Sequence, residues 1–320
     1  MKITLAYHVT LSKQPGEDLS LWLPLPASTD YQETIALRHE GNYRQAGVFT
    51  EPVYDARAFH ARWDASRENP HLGVTLEVRT RERRVAVGRV EEAGAVPPPL
   101  KVFLAPTAHI PTDGIVKRRA EEITRGKATT IEKVRAIYGW IIENTHRDFQ
   151  VAWCGVGDVR AMLEGGNLCG KCVDINSLLV ALVRAAGIPA REVFGIRAAP
   201  SRLAPTLGRA GDISGAQHCK SEVYLAGLGW LPVDPADVVK LTDEKQPVEV
   251  IARAREYLFG GSEDNWVAFN HARDFLPDPP PARGPVNYFM YPHAESAGKP
   301  MELKAGNPGY TISSVVSDEK

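Results

Sequence analysis

One amphipathic helix, predicted to begin at Cys172, constrains this 320-residue chain more than any other segment. Gly187 and Pro189 follow its apolar pattern and mark its C-terminal end. The pattern predicts a helix with one buried face and a cysteine in its first turn. The apolar positions at helical spacing are Ile175, Leu178, Leu179, Leu182 and Val183.

The position of Cys172 in the first turn favours the thiolate over the thiol. Backbone N–H groups there have no acceptor within the helix, and the helix dipole is positive at this end. Lys171, directly before it, adds to the effect when its ammonium turns inward. The thiolate is the nucleophilic form of cysteine. Unpaired cysteine is also among the most buried residue types, so a catalytic interpretation needs a base elsewhere in the chain.

A predicted β-hairpin downstream supplies that base. Its strands are Gln217–Leu225 and Trp230–Val233, joined by the turn Ala226-Gly227-Leu228-Gly229. With the turn centred near residues 226 and 227, Asp234 falls opposite His218 or Lys220. Both of these residues point to the same face of their strand, because side chains alternate with period two.

Opposed residues on antiparallel strands lie about 5 Å apart at Cβ, so Asp234 can hold one ring nitrogen of His218. The other ring nitrogen is then available to the thiol of Cys172. Spacing and parity are therefore compatible with a Cys–His–Asp relay in that chain order.

Three segments of the chain resemble the core motifs of the transglutaminase-like superfamily, in the family's order. In that family a cysteine, a histidine and an aspartate form a papain-like triad. This triad maps here onto Cys172, His218 and Asp234. The segments are Gly170-Lys171-Cys172-Val173-Asp174 with the following Leu182 to Arg191, His218 to Tyr224, and Gly229 to Pro235. The helix Ile131 to Thr145 resembles the family's leading helix, and Trp22-Leu23-Pro24-Leu25-Pro26 is similar to the N-terminal region of bacterial members. Where members often carry an aromatic residue shortly after the histidine, this chain has Cys219 and Lys220.

The resemblance implies an α+β fold and an acyl-transfer enzyme. The expected fold is a papain-like or transglutaminase-like catalytic core, with a helix that begins at the cysteine packed on an antiparallel sheet, preceded by an N-terminal β-sandwich-like domain. The chemistry is attack on an amide of a peptide or protein substrate through a thioester, and it requires no cofactor and no metal. Many bacterial members resemble hydrolases, which favours a cysteine peptidase or amidase. A protein-glutamine transglutaminase and a non-catalytic binding module remain alternatives.

Element patterns divide the chain into three predicted parts. Residues 1–95 form an N-terminal β domain, residues 105–240 the catalytic core, and residues 241–320 a C-terminal extension that packs on the core. A proline-rich stretch at 91–99 is predicted to be the linker between the first two parts.

Composition excludes several partners. The formal net charge is −1 with both signs interspersed, so we expect no nucleic-acid surface. No apolar run approaches the length of a membrane span. The start of the chain alternates like a strand and lacks the apolar core of a signal peptide, which predicts a cytoplasmic protein, or a periplasmic one if an export signal has been removed. No pattern sets an oligomeric state.

The four cysteines allow two further interpretations. Cys169-x-x-Cys172, with Cys154 and the His218-Cys219 pair, can be drawn as a zinc site, although a second paired ligand cluster is missing. A disulfide between Cys169 and Cys172 would block the nucleophile reversibly. Cys154 and Cys219 are expected to be small buried side chains.

Five other residues carry weaker expectations. Trp153 either lines the site or is an ordinary core aromatic. Asn167 and Gln150 are more typical of turn-forming residues than of oxyanion donors. Asp174 is predicted to complement the helix dipole, and Glu222 to be a structural ion-pair residue.

Overall fold

A computed structural model describes residues 1–12, 16–87 and 96–317; part of the predicted linker, residues 91–95, lies outside the described residues. In chain order the strands are β1 (Lys2–Thr10), β2 (Leu19–Pro24), β3 (Gln32–Gly41), β4 (Gln45–Thr50), β5 (Arg57–Trp63), β6 (His71–Thr80), β7 (Arg83–Arg84), β8 (His146–Arg147), β9 (Cys169–Gly170), β10 (Ala190–Arg197), β11 (Gly211–Asp212), β12 (Gln217–Leu225), β13 (Gly229–Val233), β14 (Gly261–Ser262), β15 (Trp266–Asn270), β16 (Arg273–Phe275), β17 (Val286–Tyr288), β18 (His293–Ser296), β19 (Lys299–Met301) and β20 (Gly309–Ser317). The α-helices are α1 (Gly114–Thr124), α2 (Thr130–Asn144), α3 (Val159–Gly165), α4 (Cys172–Ala185), α5 (Pro235–Asp243) and α6 (Val248–Tyr257), and short 3-10 helices span Pro98–Phe103 and Pro205–Leu207.

The chain forms two compact units, each built from separate stretches of sequence. The first unit combines Met1–Arg81, Phe194–Gln217 and Glu263–Lys320. The second unit combines Glu82–Val193 and His218–Ser262. The mixed α+β fold with a sheet-rich N-terminal region confirms the predicted fold class.

The first unit contains two five-stranded antiparallel sheets. Their strand orders are β11-β20-β1-β6-β3 and β19-β18-β2-β5-β4, so strands from the C-terminal part of the chain complete both sheets. Along β1 the side chains of Ile3, Leu5, Tyr7 and Val9 are buried and their neighbours are more exposed, the alternation of a strand with one wet face.

Two strands of these sheets, β3 and β4, show little alternation between buried and exposed side chains. Both lie at a sheet edge, and most of their residues are exposed or only partly buried. Edge strands need not bury a full apolar face and commonly carry charged side chains, so the period-two signal is weak there.

The second unit surrounds helix α4. Every residue of α4 is buried, including the polar ones, and α1, α2, α3 and α5 all pack against it. Its apolar stripe predicts burial on one face, but the polar residues find partners on the other faces. Ser177 Oγ donates to Glu192 at 2.5 Å, and Arg184 Nε donates to the Ala190 carbonyl at 2.8 Å. These bonds satisfy polar groups that would otherwise be costly to bury.

Helix α2 begins at Thr130, one residue before the segment that resembles the family's leading helix. Thr129 Oγ1 accepts the Glu132 N–H at 3.3 Å, and Glu132 Oε2 accepts the Thr129 N–H at 3.0 Å. This reciprocal capping box fixes the start of the helix. None of the helices in the described parts of the chain is long and apolar enough to cross a bilayer.

The predicted hairpin is present in the second unit. Strands β12 and β13 pair antiparallel, with Ser221 opposite Val233 and Leu225 opposite Gly229. On its other side β12 lies beside β10 in the same sheet.

One buried and one partly buried histidine flank a tryptophan in the first unit. His293, Trp22 and His60 occupy one row across β18, β2 and β5, with ring centroids 5.4 Å and 4.7 Å from Trp22. Burial, reinforced by the charge of Arg62, lowers the pKa of His60 to about 4. Burial, reinforced by Arg283, also lowers the pKa of His293 to about 4. Both rings are therefore neutral in the folded chain near neutral pH.

We expect this row to make the first unit acid-sensitive. In the unfolded chain the two imidazoles gain a proton as the pH falls below about 6.5. In the folded chain they gain it only near pH 4. The free energy of unfolding should therefore fall as pH falls from about 6.5 to about 4, by on the order of 2 kcal/mol for each histidine. Urea denaturation of the wild type, His60→Phe and His293→Phe at pH 7, 5.5 and 4 measures this. If both variants lose stability as steeply as the wild type over this range, the histidines are not the cause.

Candidate active site

Cys172 is the first residue of α4 and is only 3% exposed. Its thiol is hydrogen-bonded to the side chains of Cys154, Cys219 and His218. These bonds, led by the one from Cys154 and assisted by the charge of His218, hold the pKa of Cys172 well below its ordinary value, although burial acts in the opposite direction. Burial and the neighbouring Cys172 raise the pKa of Cys219. Of these two groups, Cys172 is therefore the one that loses its proton more readily, and Cys219 is the one that keeps it.

His218 lies near the start of β12 and is almost completely buried. Its Nε2 is 2.8 Å from Asp234 Oδ2 and 3.5 Å from Asp237 Oδ2. Because Nε2 faces these carboxylates, Nδ1 is the nitrogen left for the thiol of Cys172. The ring thus lies between a carboxylate and a sulfur, the order that a general base needs.

Asp234 directly follows β13 and is the N-cap residue of α5. Its Oδ1 accepts the Asp237 backbone N–H at 3.3 Å, while Oδ2 faces His218. The hairpin register, continued by one residue, places Asp234 opposite Lys220, one of the two partners that parity allowed. His218 is its diagonal neighbour on the same face, within reach of a carboxylate.

Asn176 joins the helix to the hairpin, a role that the sequence did not predict. Its Nδ2 donates to the Cys219 carbonyl at 2.9 Å and to Asp234 Oδ1 at 3.3 Å. Its Oδ1 accepts from Ser221 Oγ at 3.2 Å. The available signal was a polar residue four positions after Cys172, on the same helix face, within an otherwise apolar helix.

Asp174 clamps the loop between β8 and α3 onto the start of α4. Its Oδ1 accepts the backbone N–H groups of Val156 at 3.0 Å and Gly157 at 2.8 Å. Its Oδ2 accepts the Lys171 N–H at 2.8 Å, which helps to cap the helix. Burial raises the pKa of the Asp174 carboxyl, and the three N–H donors act against that rise. Asp174 therefore lies in the first turn as predicted and also holds a loop in place.

Two glycines make room for this carboxylate. A Cβ at Gly155, whose φ is +96°, would lie 1.9 Å from Asp174 Oδ2. A Cβ at Gly170 would lie 2.4 Å from the Asp174 Cβ. The close approach of loop and helix start therefore requires glycine at both positions.

None of the four cysteines forms a disulfide. Cys154 and Cys219 are buried as predicted, and both contact the thiol of Cys172. Cys169 is half-buried on β9, which pairs with β8, and forms no disulfide with Cys172.

The weaker expectations are resolved by local contacts. Asn167 Oδ1 accepts the Cys169 N–H at 3.1 Å, a turn-forming role. The Gln150 N–H donates to Asp148 Oδ1 at 2.8 Å, again within a turn. Trp153 is 43% exposed and is not a core aromatic.

Glu222 is a structural ion-pair residue, which confirms that prediction. It is buried and pairs with Arg83 and, at 2.7 Å, with Arg191. The Arg191 guanidinium lies over the Trp230 ring, 3.9 Å from its centroid. These contacts stabilise the part of the hairpin that lies beyond His218 along β12.

Among the described residues, one group of possible metal ligands has donor atoms that all lie within 4.8 Å of one another. It consists of His218, Asp234 and Asp237. Imidazole and carboxylate are suitable ligands for zinc. A metal would need the lone pair of Nε2, however, and the hydrogen bond from Nε2 to Asp234 uses that nitrogen as a donor. The set includes no cysteine, so it differs from the zinc site drawn from the sequence.

Comparison with known proteins identifies the family. A protein of Haemophilus influenzae described as "Uncharacterized protein" is 40% identical over 319 residues, covering 94% of this chain and 86% of its own length. Residues 117–235 match the Transglutaminase-like superfamily. Residues 117–235 form a domain of the transglutaminase-like superfamily.

One solved structure shares the fold, and a second aligns with a lower score. The crystal structure described as "a Putative Cysteine Protease from Cytophaga hutchinsonii" aligns with a TM-score of 0.58 and 17% identity, covering 98% of each chain. The periplasmic domain of TgpA from Pseudomonas aeruginosa aligns with a TM-score of 0.40 and 13% identity, covering 80% of this chain and 92% of that one. The alignment with the Cytophaga hutchinsonii structure covers nearly the whole of this chain, so residues of both units take part in the likeness.

We expect Cys172 to remain reactive at acidic pH. Its thiolate persists as pH falls and is lost only as pH passes through the lowered pKa, so iodoacetamide should alkylate it at a nearly constant rate well below pH 8. His218→Asn removes one donor and the positive charge and should move the pH profile upward. Mass spectrometry of the alkylated peptides separates Cys172 from Cys169. A Cys172 profile that rises only near pH 8 to 9 would contradict the assignment of a thiolate.

The clash at Gly155 predicts a large loss of stability on substitution. Gly155→Ala should lower the free energy of unfolding by roughly 3 kcal/mol, because the Cβ displaces the Asp174 carboxylate from its backbone donors. Gly166→Ala is the matched control. Gly166 also has a positive φ, +67°, but open space surrounds its Cβ position, so only the backbone strain of about 1 kcal/mol is expected. Equal losses in urea denaturation would show that Asp174 does not need the space at Gly155.

Proposed function

We propose that this chain is a cysteine-dependent amide hydrolase, a peptidase or amidase, that acts through a thioester on Cys172. The observation that carries the proposal is the position of the His218 ring, with Nε2 2.8 Å from Asp234 and the Cys172 thiol on its other side. The helix start and the two thiol donors support a resting thiolate at Cys172. The shared fold with the structure described as "a Putative Cysteine Protease" is consistent with the same chemistry.

In the first half of the reaction the Cys172 sulfur attacks the carbonyl carbon of a substrate amide. A C–S bond forms, and the electron pair of the C=O bond moves onto oxygen. The Cys172 backbone N–H, in the first turn of α4, is placed to donate to that oxyanion. His218 Nδ1 then gives its proton to the amine nitrogen, the C–N bond breaks, and the amine product leaves.

In the second half water replaces the amine. His218 Nδ1 accepts a proton from water, whose oxygen attacks the thioester carbonyl. The C–S bond breaks, which releases a carboxylic acid and restores the Cys172 thiolate beside a protonated His218. Asp234 holds the Nε2 proton throughout, so Nδ1 is the nitrogen that exchanges protons.

Asn176 and Asp174 have positioning roles in this proposal. Asn176 holds the Asp234 carboxylate and the strand that carries His218 at a fixed distance from the helix. Asp174 holds Cys154, through its loop, against the thiol of Cys172. Neither residue exchanges a proton with substrate.

The decisive variant is Cys172→Ala. Hydrolysis of a responsive peptide, selected from a library of peptide aminocoumarin amides, should fall by at least about a thousand-fold, since the acyl-enzyme cannot form. Cys169→Ala is the matched control, and it should stay within about two-fold of the wild type, since the Cys169 side chain is only half-buried on β9. Circular dichroism verifies the fold of both variants.

Two additional measurements distinguish the possible mechanisms. Stopping the reaction with acid should trap an acyl group on the Cys172 peptide, detected by mass spectrometry. Adding a primary amine partitions the thioester between water and amine, so a dominant amide product would assign a transglutaminase instead of a hydrolase. Full activity of Cys172→Ala, or activity that a chelator removes, would refute the cysteine mechanism.

A further inference from the structure

An exposed apolar surface borders the proposed nucleophile. Among the described residues, nine large hydrophobic side chains are exposed, and three of them lie within eight positions of one loop. They are Phe149, Trp153 and Val156, exposed by 56%, 43% and 57%. We call these three side chains the apolar loop face. Scattered exposed apolar residues are ordinary, but a cluster on one loop indicates a binding surface.

The loop that carries this face is fastened to the nucleophile segment at three points. The Asp148 N–H donates to the Gly170 carbonyl at 2.9 Å. The Val173 N–H donates to the Cys154 carbonyl at 2.9 Å. The clamp from Asp174 to the backbone of residues 156 and 157 is the third. The loop therefore follows residues 170–174 closely along its length.

Inward and outward residues of this loop are neighbours in sequence. Cys154 is buried and contacts the thiol of Cys172, whereas Trp153, directly before it, is exposed. Trp153 also has φ of +55°, a left-handed conformation that is strained for a bulky residue and that glycine or asparagine adopts more easily. The large ring is thus held outward, one residue away from a side chain that contacts the nucleophile.

We propose that the apolar loop face is a substrate subsite that binds a large apolar or aromatic side chain of the acyl donor. This inference rests on the proposed function and adds a substrate class to it. During attack the scissile carbonyl lies about 3 to 3.5 Å from the sulfur, and each neighbouring substrate residue extends the chain by about 3.5 Å. Because Trp153 adjoins Cys154, whose side chain contacts the Cys172 thiol, we expect a side chain one or two residues from the scissile bond to meet this face. Burying such a side chain favours apolar substrates by at least about ten-fold over glycine.

Alkylating peptides test the subsite without requiring turnover. Acetyl-phenylalanine and acetyl-glycine chloromethyl ketones react by attack of the Cys172 sulfur on the methylene carbon, with loss of chloride and formation of a thioether. Intact-mass kinetics give the two rate constants, and each is divided by the iodoacetamide rate of the same protein. We expect a phenylalanine-to-glycine ratio of about ten or more in the wild type.

Trp153→Asn removes the ring and suits the left-handed backbone, so it should reduce that ratio at least about five-fold. Trp153→Phe keeps an aromatic ring and should restore most of it. Val248→Asn is the matched control. It removes a hydrophobic side chain that is 79% exposed on α6 of the same unit, and it should leave the ratio unchanged.

The outcomes separate the subsite from the proposed function. A wild-type ratio near one, or a ratio that Trp153→Asn leaves unchanged, overturns the subsite even when Cys172 is alkylated rapidly. A change of elution volume in size-exclusion chromatography for Trp153→Asn, with an unchanged ratio, assigns the face to self-association and also overturns it. Slow alkylation of Cys172 by iodoacetamide, together with full activity of Cys172→Ala, refutes the proposed function whatever the ratio is.

Discussion

The hydrogen bonds of Asn176 are the interactions on which the geometry of the candidate site depends. One amide side chain in a buried helix reaches the carbonyl of Cys219 and the carboxylate of Asp234 together. The first contact fixes the strand next to His218, and the second fixes the group that orients the imidazole. Because all of these groups are buried, an unpaired amide or carboxylate there would be costly, so the helix and the hairpin have a single favourable alignment.

Sequence alone predicted the parts of this site that local patterns determine. Helix α4, the hairpin β12–β13 and the shared face of His218 and Asp234 follow from helical periodicity, turn residues and strand parity. The roles of Asn176 and Asp174 did not follow, since each depends on groups that are distant in the chain and that only the folded structure brings together.

Long-range pairing also explains what was missed in the fold. Strands β18 and β20 pair with β2 and β1, at sequence separations that no local pattern encodes. The cysteines also show that spacing in the sequence does not reveal which side chains meet in the folded chain. Spacing drew attention to Cys169, three residues from Cys172, whereas the contacts to the thiol come from Cys154 and Cys219, each on a different element.

The order of strands in the two large sheets has a consequence for biosynthesis. Strands β1 and β2 are synthesised long before their partners β20 and β18, which lie far later in the chain. Until β18 and β20 have been synthesised, β1 and β2 each present one unpaired strand edge. Such edges are templates for pairing with other chains, so chaperone protection of the nascent N-terminal region has a direct structural basis.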